Sequence, residues 1–485
     1  MTATCVMVLG THSGAGKSWL ATALCRWYAR QGLKVVPFKA QNMSNNARVV
    51  PAANGALGEI GSAQYFQALA ARAEPDVRMN PVLLKPERDT HSQVVVLGRV
   101  DAALTATPWR ERSALLWPRV RESLDALREE NDVVVIEGAG SPAEINLRDS
   151  DHVNLRVALH GEARCLLVSD IDRGGAFAHL YGTWSLLEPA ERALLRGFVL
   201  NKFRGDPALL APGPQQLREL TGVPTVATIP MVWQHGLPEE DGVFEERAAG
   251  GAAQPATTIA VVAYPRISNL DEFQPLANIP GLRLRWVRTP AGLEGADGVI
   301  LPGSKNTAED LQWLRAQGLA AAVTRFAGQG GRVLGICGGL QMLGEALVDP
   351  EDLAGNAPGL GLLPLVTQFA STKTVRRTSS VFGALHGAWA PLAGVAVHGY
   401  EIHTGRTAQH AGMARGHVAL PDGLGWQNAE GNVLGVYLHG LFEQAEVLHA
   451  LFGAAAPTLD GVFDRLADVA QRHFAPGVLA ALAER

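Results

Sequence analysis

Two clusters of residues carry the types and spacing that chemistry needs. The first is the loop Gly10-Thr-His-Ser-Gly-Ala-Gly-Lys-Ser18. Glycines let backbone N–H groups close around phosphate oxygens, and a helix opening at the loop adds a favourable dipole. Gly10, Thr11, Gly14 and Gly16 would line the phosphate chain, Lys17 would reach its outer phosphates, and the Ser18 hydroxyl would bind Mg²⁺. Five residues separate Gly10 from Gly16, where the common phosphate loop has four. Glu137 closes the apolar run Val133-Val-Val-Ile-Glu137, and a carboxylate at a strand end faces the ligand crevice of a parallel sheet. It is a second Mg²⁺ donor. Lys39, just past another apolar run, is a further phosphate contact.

The second cluster is Gly335-Ile-Cys-Gly-Gly-Leu-Gln-Met-Leu-Gly344. It places Cys337 on a tight strand-to-helix turn, where a helix N-terminus favours the thiolate. The N–H of Gly338, and that of Gly303 in Leu301-Pro-Gly-Ser-Lys-Asn-Thr307, can hold an oxyanion. A cysteine nucleophile needs a base. His439 ends the run Val433-Leu-Gly-Val-Tyr-Leu-His439 and is the best placed of 14 histidines. The rivals His398 and His403 read as structural or interface groups.

These residues need strands to carry them and helices to follow. In the first half the buried strands are Cys5–Leu9, Lys34–Phe38, Asp132–Ile136, Arg164–Val168, Gly197–Leu200 and Val226–Ile229. In the second they are Ile259–Ala263, Leu282–Val287, Gly298–Leu301, Arg332–Ile336 and Val433–Leu438. Longer helical patterns alternate with them, such as Trp19, Leu20, Ala23, Leu24, Trp27 and Tyr28 on one face. The implied fold class is α/β, with parallel sheets in both halves. Between Gly361 and His403 short polar–apolar alternation suggests an antiparallel excursion. The small, aperiodic stretch at 245–258 reads as a linker. The expected organisation is a nucleotide-binding domain at 1–244, the linker, a second α/β domain at 259–450 and a C-terminal helical segment at 451–485.

Composition narrows the function class. A chain of 485 residues needs more than one core. A net charge of −5 favours neither nucleic acid nor an anionic membrane as partner. Four scattered cysteines read as reduced thiols, so the expected compartment is the cytoplasm. No run approaches the roughly 18 apolar residues that span a bilayer.

The Cys337 turn with His439 resembles class I glutamine amidotransferase domains, and the longer phosphate loop is similar to that of dethiobiotin synthetase. Their fusion in this order resembles the cobyrinate amidases of vitamin B12 synthesis. The marks are Phe38-Lys-Ala-Gln-Asn-Met43, Gly58-Glu-Ile-Gly-Ser-Ala-Gln64, Met79-Asn-Pro-Val-Leu-Leu-Lys-Pro86, Ile136-Glu-Gly-Ala-Gly-Ser-Pro-Ala-Glu-Ile-Asn-Leu147, Asp170-Ile-Asp-Arg-Gly-Gly175, Leu301–Thr307 and His398-Gly-Tyr-Glu-Ile-His403. They resemble most the branch that amidates the b, d, e and g carboxylates of adenosylcobyrinic acid a,c-diamide. The alternative is the branch that forms that a,c-diamide, or another glutamine-fed, ATP-dependent amidoligase.

The resemblance implies ATP, Mg²⁺ and glutamine as reactants and a corrinoid as substrate, and leaves a homo-oligomer open. ATP would turn each carboxylate into an acyl phosphate. Ammonia from glutamine would then have to travel sheltered from protonation. Gln41, Asn42, Asp149 and Asp170 lie in the matching motifs as substrate-placing residues, and Glu59 as a further Mg²⁺ donor. Class I domains follow the histidine with Pro-Glu, whereas here the run is His439-Gly-Leu-Phe-Glu443. The third member of the catalytic group is therefore open, with Glu443 a weak candidate. A nucleotide switch like the septum-site ATPases is disfavoured, because Thr11 and His12 stand where those carry a second lysine.

Overall fold

The computed structural model describes residues 2–52, 55–88, 90–233, 235–238, 257–352, 355–409, 412, 416–454 and 457–484. The chain divides into two compact units. One comprises residues 1–44, 50–237 and 458–485; the other comprises 45–49 and 238–457. Most of the expected linker lies outside the described residues. Its last two residues, Thr257 and Thr258, already belong to a strand.

The first unit is built on a six-stranded parallel sheet. Its order is Thr225–Pro230, Leu195–Phe203, Arg164–Asp170, Thr4–Gly10, Val133–Glu137 and Val35–Phe38. The Val-rich runs are buried along their whole length, as strands covered on both faces must be. The helix Lys17–Arg30 covers one face and buries Leu20, Ala23, Leu24 and Tyr28. A smaller sheet joins Gln41–Met43, Val82–Arg88, His91–Val96 and Arg99–Val100.

The C-terminal residues are not a segment apart. The helix Ala445–Phe452 runs across the expected boundary at 451, and the helix Leu459–His473 belongs to the first unit. Its Val462, Phe463, Leu466 and Ala470 share one core with Leu20 and Leu24. Arg26 pairs with Asp460 and Asp464, and Arg30 Nη1 with Asp468 Oδ1 at 2.6 Å. Burying each large apolar side chain there contributes about 1.5–3 kcal/mol, which is why a terminal helix folds back over so long a stretch of sequence.

The second unit has a seven-stranded sheet. Leu282–Val287, Thr257–Val262, Gly298–Leu301, Arg332–Ile336 and Val433–Val436 run parallel. Gly425–Gln427 and His417–Leu420 extend it antiparallel. The expected antiparallel excursion is a long hairpin of Val366–Val381 with Ala396–Ala408. Among the described residues, no helix is long and apolar enough to cross a membrane.

Candidate active sites

The strand Thr4–Gly10 delivers the phosphate loop to the helix at Lys17. Gly14 and Gly16 sit at φ of 78° and 100°, a region a β-carbon opposes. A β-carbon on Gly16 would lie 2.0 Å from Asn201 Nδ2. That amide instead donates to Ala15 O at 2.9 Å. Lys202 Nζ donates to Gly14 O at 2.8 Å and pairs with Asp170 Oδ2 at 3.1 Å. Thr11 Oγ1 donates to Ser169 Oγ at 3.1 Å. Lys17 Nζ donates to His12 O and Gly140 O, each at 3.0 Å. Carbonyls thus hold the lysine over its own loop.

Ser18 and Lys39 converge on Glu137. Ser18 Oγ donates to Glu137 Oε1 at 2.8 Å and Lys39 Nζ to the same oxygen at 2.9 Å. Gln67 Nε2 donates to Oε2 at 2.5 Å. Burial pushes this carboxyl up, but the Lys39 ammonium and three hydrogen bonds outweigh it and hold it below the usual range. A hydroxyl beside an ionised carboxylate is the hard-oxygen set that suits Mg²⁺, which takes one or two protein oxygens and the rest from phosphates and water. Glu59, expected as a third donor, has its carboxylate on Lys85 Nζ at 2.6 Å. Among the described residues no group of three or more His, Cys, Asp or Glu is arranged so that it could hold a metal ion by itself.

The residues expected to place substrate differ in their surroundings. Gln41 Oε1 accepts from His152 Nε2 at 3.0 Å, and Asn42 Nδ2 donates to Gln64 Oε1 at 3.3 Å. Asp149 is exposed on the turn Ile145–Ser150. Asp170 is buried, and its Oδ1 accepts from Asp172 N at 2.9 Å.

In the second unit Cys337 has φ 52° and ψ −106° and caps the short helix Gly338–Leu343. Such a conformation in a non-glycine residue costs on the order of 1–3 kcal/mol. The backbone around it is closely approached: a β-carbon on Gly339 would lie 1.9 Å from Leu301 O. The Gly303 loop closes on the same place. Its β-carbon position is 2.9 Å from His439 Cε1, and Ser304 N is 2.7 Å from that of Gly338. Ser304 Oγ donates to Asp310 Oδ2 at 2.6 Å, which ties the loop to the following helix.

His439 lies just past the strand Val433–Val436, in an antiparallel bridge with Tyr400. It is buried beside Cys337, whose thiol donates to Ile402 O at 3.7 Å. Its Nδ1 faces Glu272 Oε1 at 3.1 Å, and Glu272 Oε2 accepts from Gly440 N at 3.1 Å. With Nδ1 committed to the carboxylate, Nε2 is the nitrogen left for the thiol. Burial pushes the imidazole down, but the Glu272 carboxylate and the neighbouring Cys337 side chain raise it to about 10. The carboxylate on the imidazole is thus Glu272, a residue that sequence reasoning missed. Glu272 sits in Leu270–Phe273, a short turn with no periodic pattern and no motif.

Glu443, the weak candidate, points elsewhere: its Oε1 pairs with Arg48 Nη1 at 2.5 Å. His403 stacks on Tyr437 at 4.0 Å and bonds Glu401 Oε2 at 3.2 Å, while His398 Nδ1 bonds Ser379 Oγ at 2.9 Å. Gln67, His152, Asn201 and Lys202, which bond the expected site residues and the phosphate loop, were also missed, although Asn201-Lys202 at a strand end was a signal of the same kind as Glu137.

Residues 6–239 match the CobQ/CobB/MinD/ParA nucleotide binding domain, and residues 258–447 the CobB/CobQ-like glutamine amidotransferase domain. Cobyric acid synthase of Variovorax paradoxus (strain S110) is 72% identical over 484 residues, covering 99% of this chain and 100% of the relative. That of Acidovorax ebreus (strain TPSY) is 71% identical over 496 residues, covering 100% of both. The chain belongs to the cobyric acid synthase family. Membership makes it an ATP-dependent, glutamine-hydrolysing ligase. In this cobyric acid synthase family member the phosphate loop lies in the nucleotide-binding match, and Cys337, His439 and Glu272 lie in the amidotransferase match.

Proposed function

We propose that the chain amidates the b, d, e and g side-chain carboxylates of adenosylcobyrinic acid a,c-diamide in the cytoplasm, with ATP, Mg²⁺ and glutamine, and that Cys337, His439 and Glu272 are its ammonia source. The observation that carries the second part is the Glu272–His439 pair beside Cys337 on its strained turn.

The Cys337 thiolate attacks the side-chain amide carbon of glutamine. The oxyanion is held by N–H groups at Gly338 and on the Gly303 loop. As the C–N bond breaks, His439 gives its Nε2 proton to the departing amine, and ammonia leaves. Water then attacks the thioester, His439 takes the water proton, and glutamate is released. Glu272 keeps the ring in the required tautomer and stabilises the imidazolium.

In the first unit a corrin carboxylate oxygen bonds to the γ-phosphorus of ATP as the bridging P–O bond breaks, giving an acyl phosphate and ADP. Oxide is a poor leaving group, and phosphate replaces it when ammonia adds. Loop N–H groups and Lys17 hold the phosphates, and Lys39 spreads charge nearby. Ser18 and Glu137 would hold Mg²⁺, which neutralises phosphate charge when bound. Gln41, Asn42, Asp149 and Asp170 help to place the corrinoid.

Cys337→Ala should abolish glutamine-driven amidation and keep ammonia-driven amidation. Lys17→Ala should lose both. Incubation with the a,c-diamide, and separately with cobyrinic acid, followed by mass spectrometry, tests the substrate. Amidation of cobyrinic acid at a and c would favour the alternative branch.

A further inference from the structure

Residues 45–49 lie in the sequence of the nucleotide-binding half but fold with the amidotransferase unit. What they touch there is the turn that carries Glu272. Leu270 N donates to Asn46 Oδ1 at 2.9 Å, and Asn269 Nδ2 donates to Ala47 O at 3.1 Å. Arg48 pairs with Asp271, the neighbour of Glu272, and with Glu443 Oε1 at 2.5 Å. The guanidinium and both Asp271 and Glu272 are buried.

A second route leads from the same segment to His439. The Arg48 guanidinium lies over the Tyr400 ring, 5.1 Å from its centroid. That ring stacks on the His439 imidazole at 5.3 Å with 21° between planes. Asn269 Nδ2 also donates to Tyr400 Oη at 2.5 Å. Both partners of the Glu272–His439 hydrogen bond therefore rest on groups that residues 46–48 hold.

We propose that Arg48 is a positioning residue for glutamine hydrolysis: through Asp271 and Tyr400 it fixes Glu272 and His439 against each other. The inference rests on Cys337, His439 and Glu272 being the ammonia source. A buried guanidinium with two carboxylates is weak evidence for stability, because desolvation offsets most of the attraction. Its fork geometry fixes orientation, and a misplacement of about 1 Å costs roughly 10²-fold in rate. The turn at 269–273 supplies no helix or strand of useful length to hold Glu272 by itself.

The test uses the full chain and three variants: Arg48→Met, Arg48→Lys, and the charge-free Arg48→Met/Asp271→Asn/Glu443→Gln. Glutamine hydrolysis, ammonia-driven amidation and thermal unfolding are measured for each. Arg48→Met should lower kcat for glutamine hydrolysis by about 10²-fold, with KM within about twofold and ammonia-driven amidation kept. Arg48→Lys should recover part of kcat. The triple variant leaves no buried charge without its partner, so it separates folding from positioning; folded and still slow, it supports the proposal. A folded triple variant, or Arg48→Met, with full kcat overturns it. Loss confined to KM also overturns it. Cys337→Ala runs alongside: if it still hydrolyses glutamine, the underlying reading fails, whatever Arg48 does.

Discussion

Glu272 Oε1 stands 3.1 Å from His439 Nδ1, and the two residues are 167 positions apart in the chain. Glu272 Oε2 also takes the N–H of Gly440, so one carboxylate fixes both the imidazole and the backbone that follows it. The carboxylate on the imidazole thus comes from a distant loop and not from the residues that follow His439.

Glu272→Gln keeps the shape and removes the charge. Without the carboxylate the imidazolium loses its main favourable partner, so its pKa falls. The alkaline limb of glutamine hydrolysis, set near 10 by the raised imidazole, should move to lower pH by about 1–3 units. Turnover should fall by about 10²–10⁴-fold. A pH–rate profile of glutaminase activity checks both, and an unmoved alkaline limb counts against the pair.

Gly399→Ala should disable the same centre from the backbone side. Its β-carbon would lie 2.1 Å from His439 O, an atom that cannot rotate away. The Tyr400–His439 bridge must shift. Glutamine hydrolysis should drop by about 10²-fold while ammonia-driven amidation continues. Comparing the two assays on one preparation checks this.

Asp310 carries a pH signature of its own. Burial pushes its carboxyl up from 3.8 to about 7, against the lowering effect of Ser304 and the Arg266 backbone. The folded state then holds a proton that the unfolded chain releases at about pH 4. Stability from this group is full below the unfolded value and falls as pH rises toward 7. Asp310→Asn should flatten that fall. Urea unfolding of both proteins at pH 5 and pH 8 measures the difference.

Gly16→Ala should remove ATP-dependent turnover whichever nitrogen source is supplied. Its φ of 100° and the 2.0 Å clash with Asn201 Nδ2 both oppose a side chain. Backbone strain alone is on the order of 1–3 kcal/mol. Nucleotide binding by calorimetry should be weakened, with glutamine hydrolysis the control that the chain is folded.

Phe463→Ala tests where the C-terminal helix belongs. Phe463 is buried in the core shared with the Lys17–Arg30 helix. Its truncation should cost about 3–5 kcal/mol in the transition of the nucleotide-binding unit. Loss of ammonia-driven amidation at a lower temperature than in the parent would show it. An effect confined to glutamine hydrolysis would contradict the grouping.

Local pattern was enough for the strands, because a run such as Val133–Ile136 between polar ends has no other way to hide both faces. It was enough for the phosphate loop and for the Cys337 turn, since glycines at fixed offsets encode backbone shape within a few residues. Glu137, Lys39 and His439 followed because a strand end points one way. Tertiary structure alone decided the remainder. It brought Glu272 to His439, took Arg48 across 223 positions to Asp271, and sent Glu443 to Arg48 instead of the imidazole. It also set Glu59 against Lys85 and folded the terminal helix onto the first unit. A hydrogen bond or ion pair between distant residues has no period and no spacing. It exists only after loops close and water is excluded, so no stretch of sequence can record which carboxylate reaches which partner.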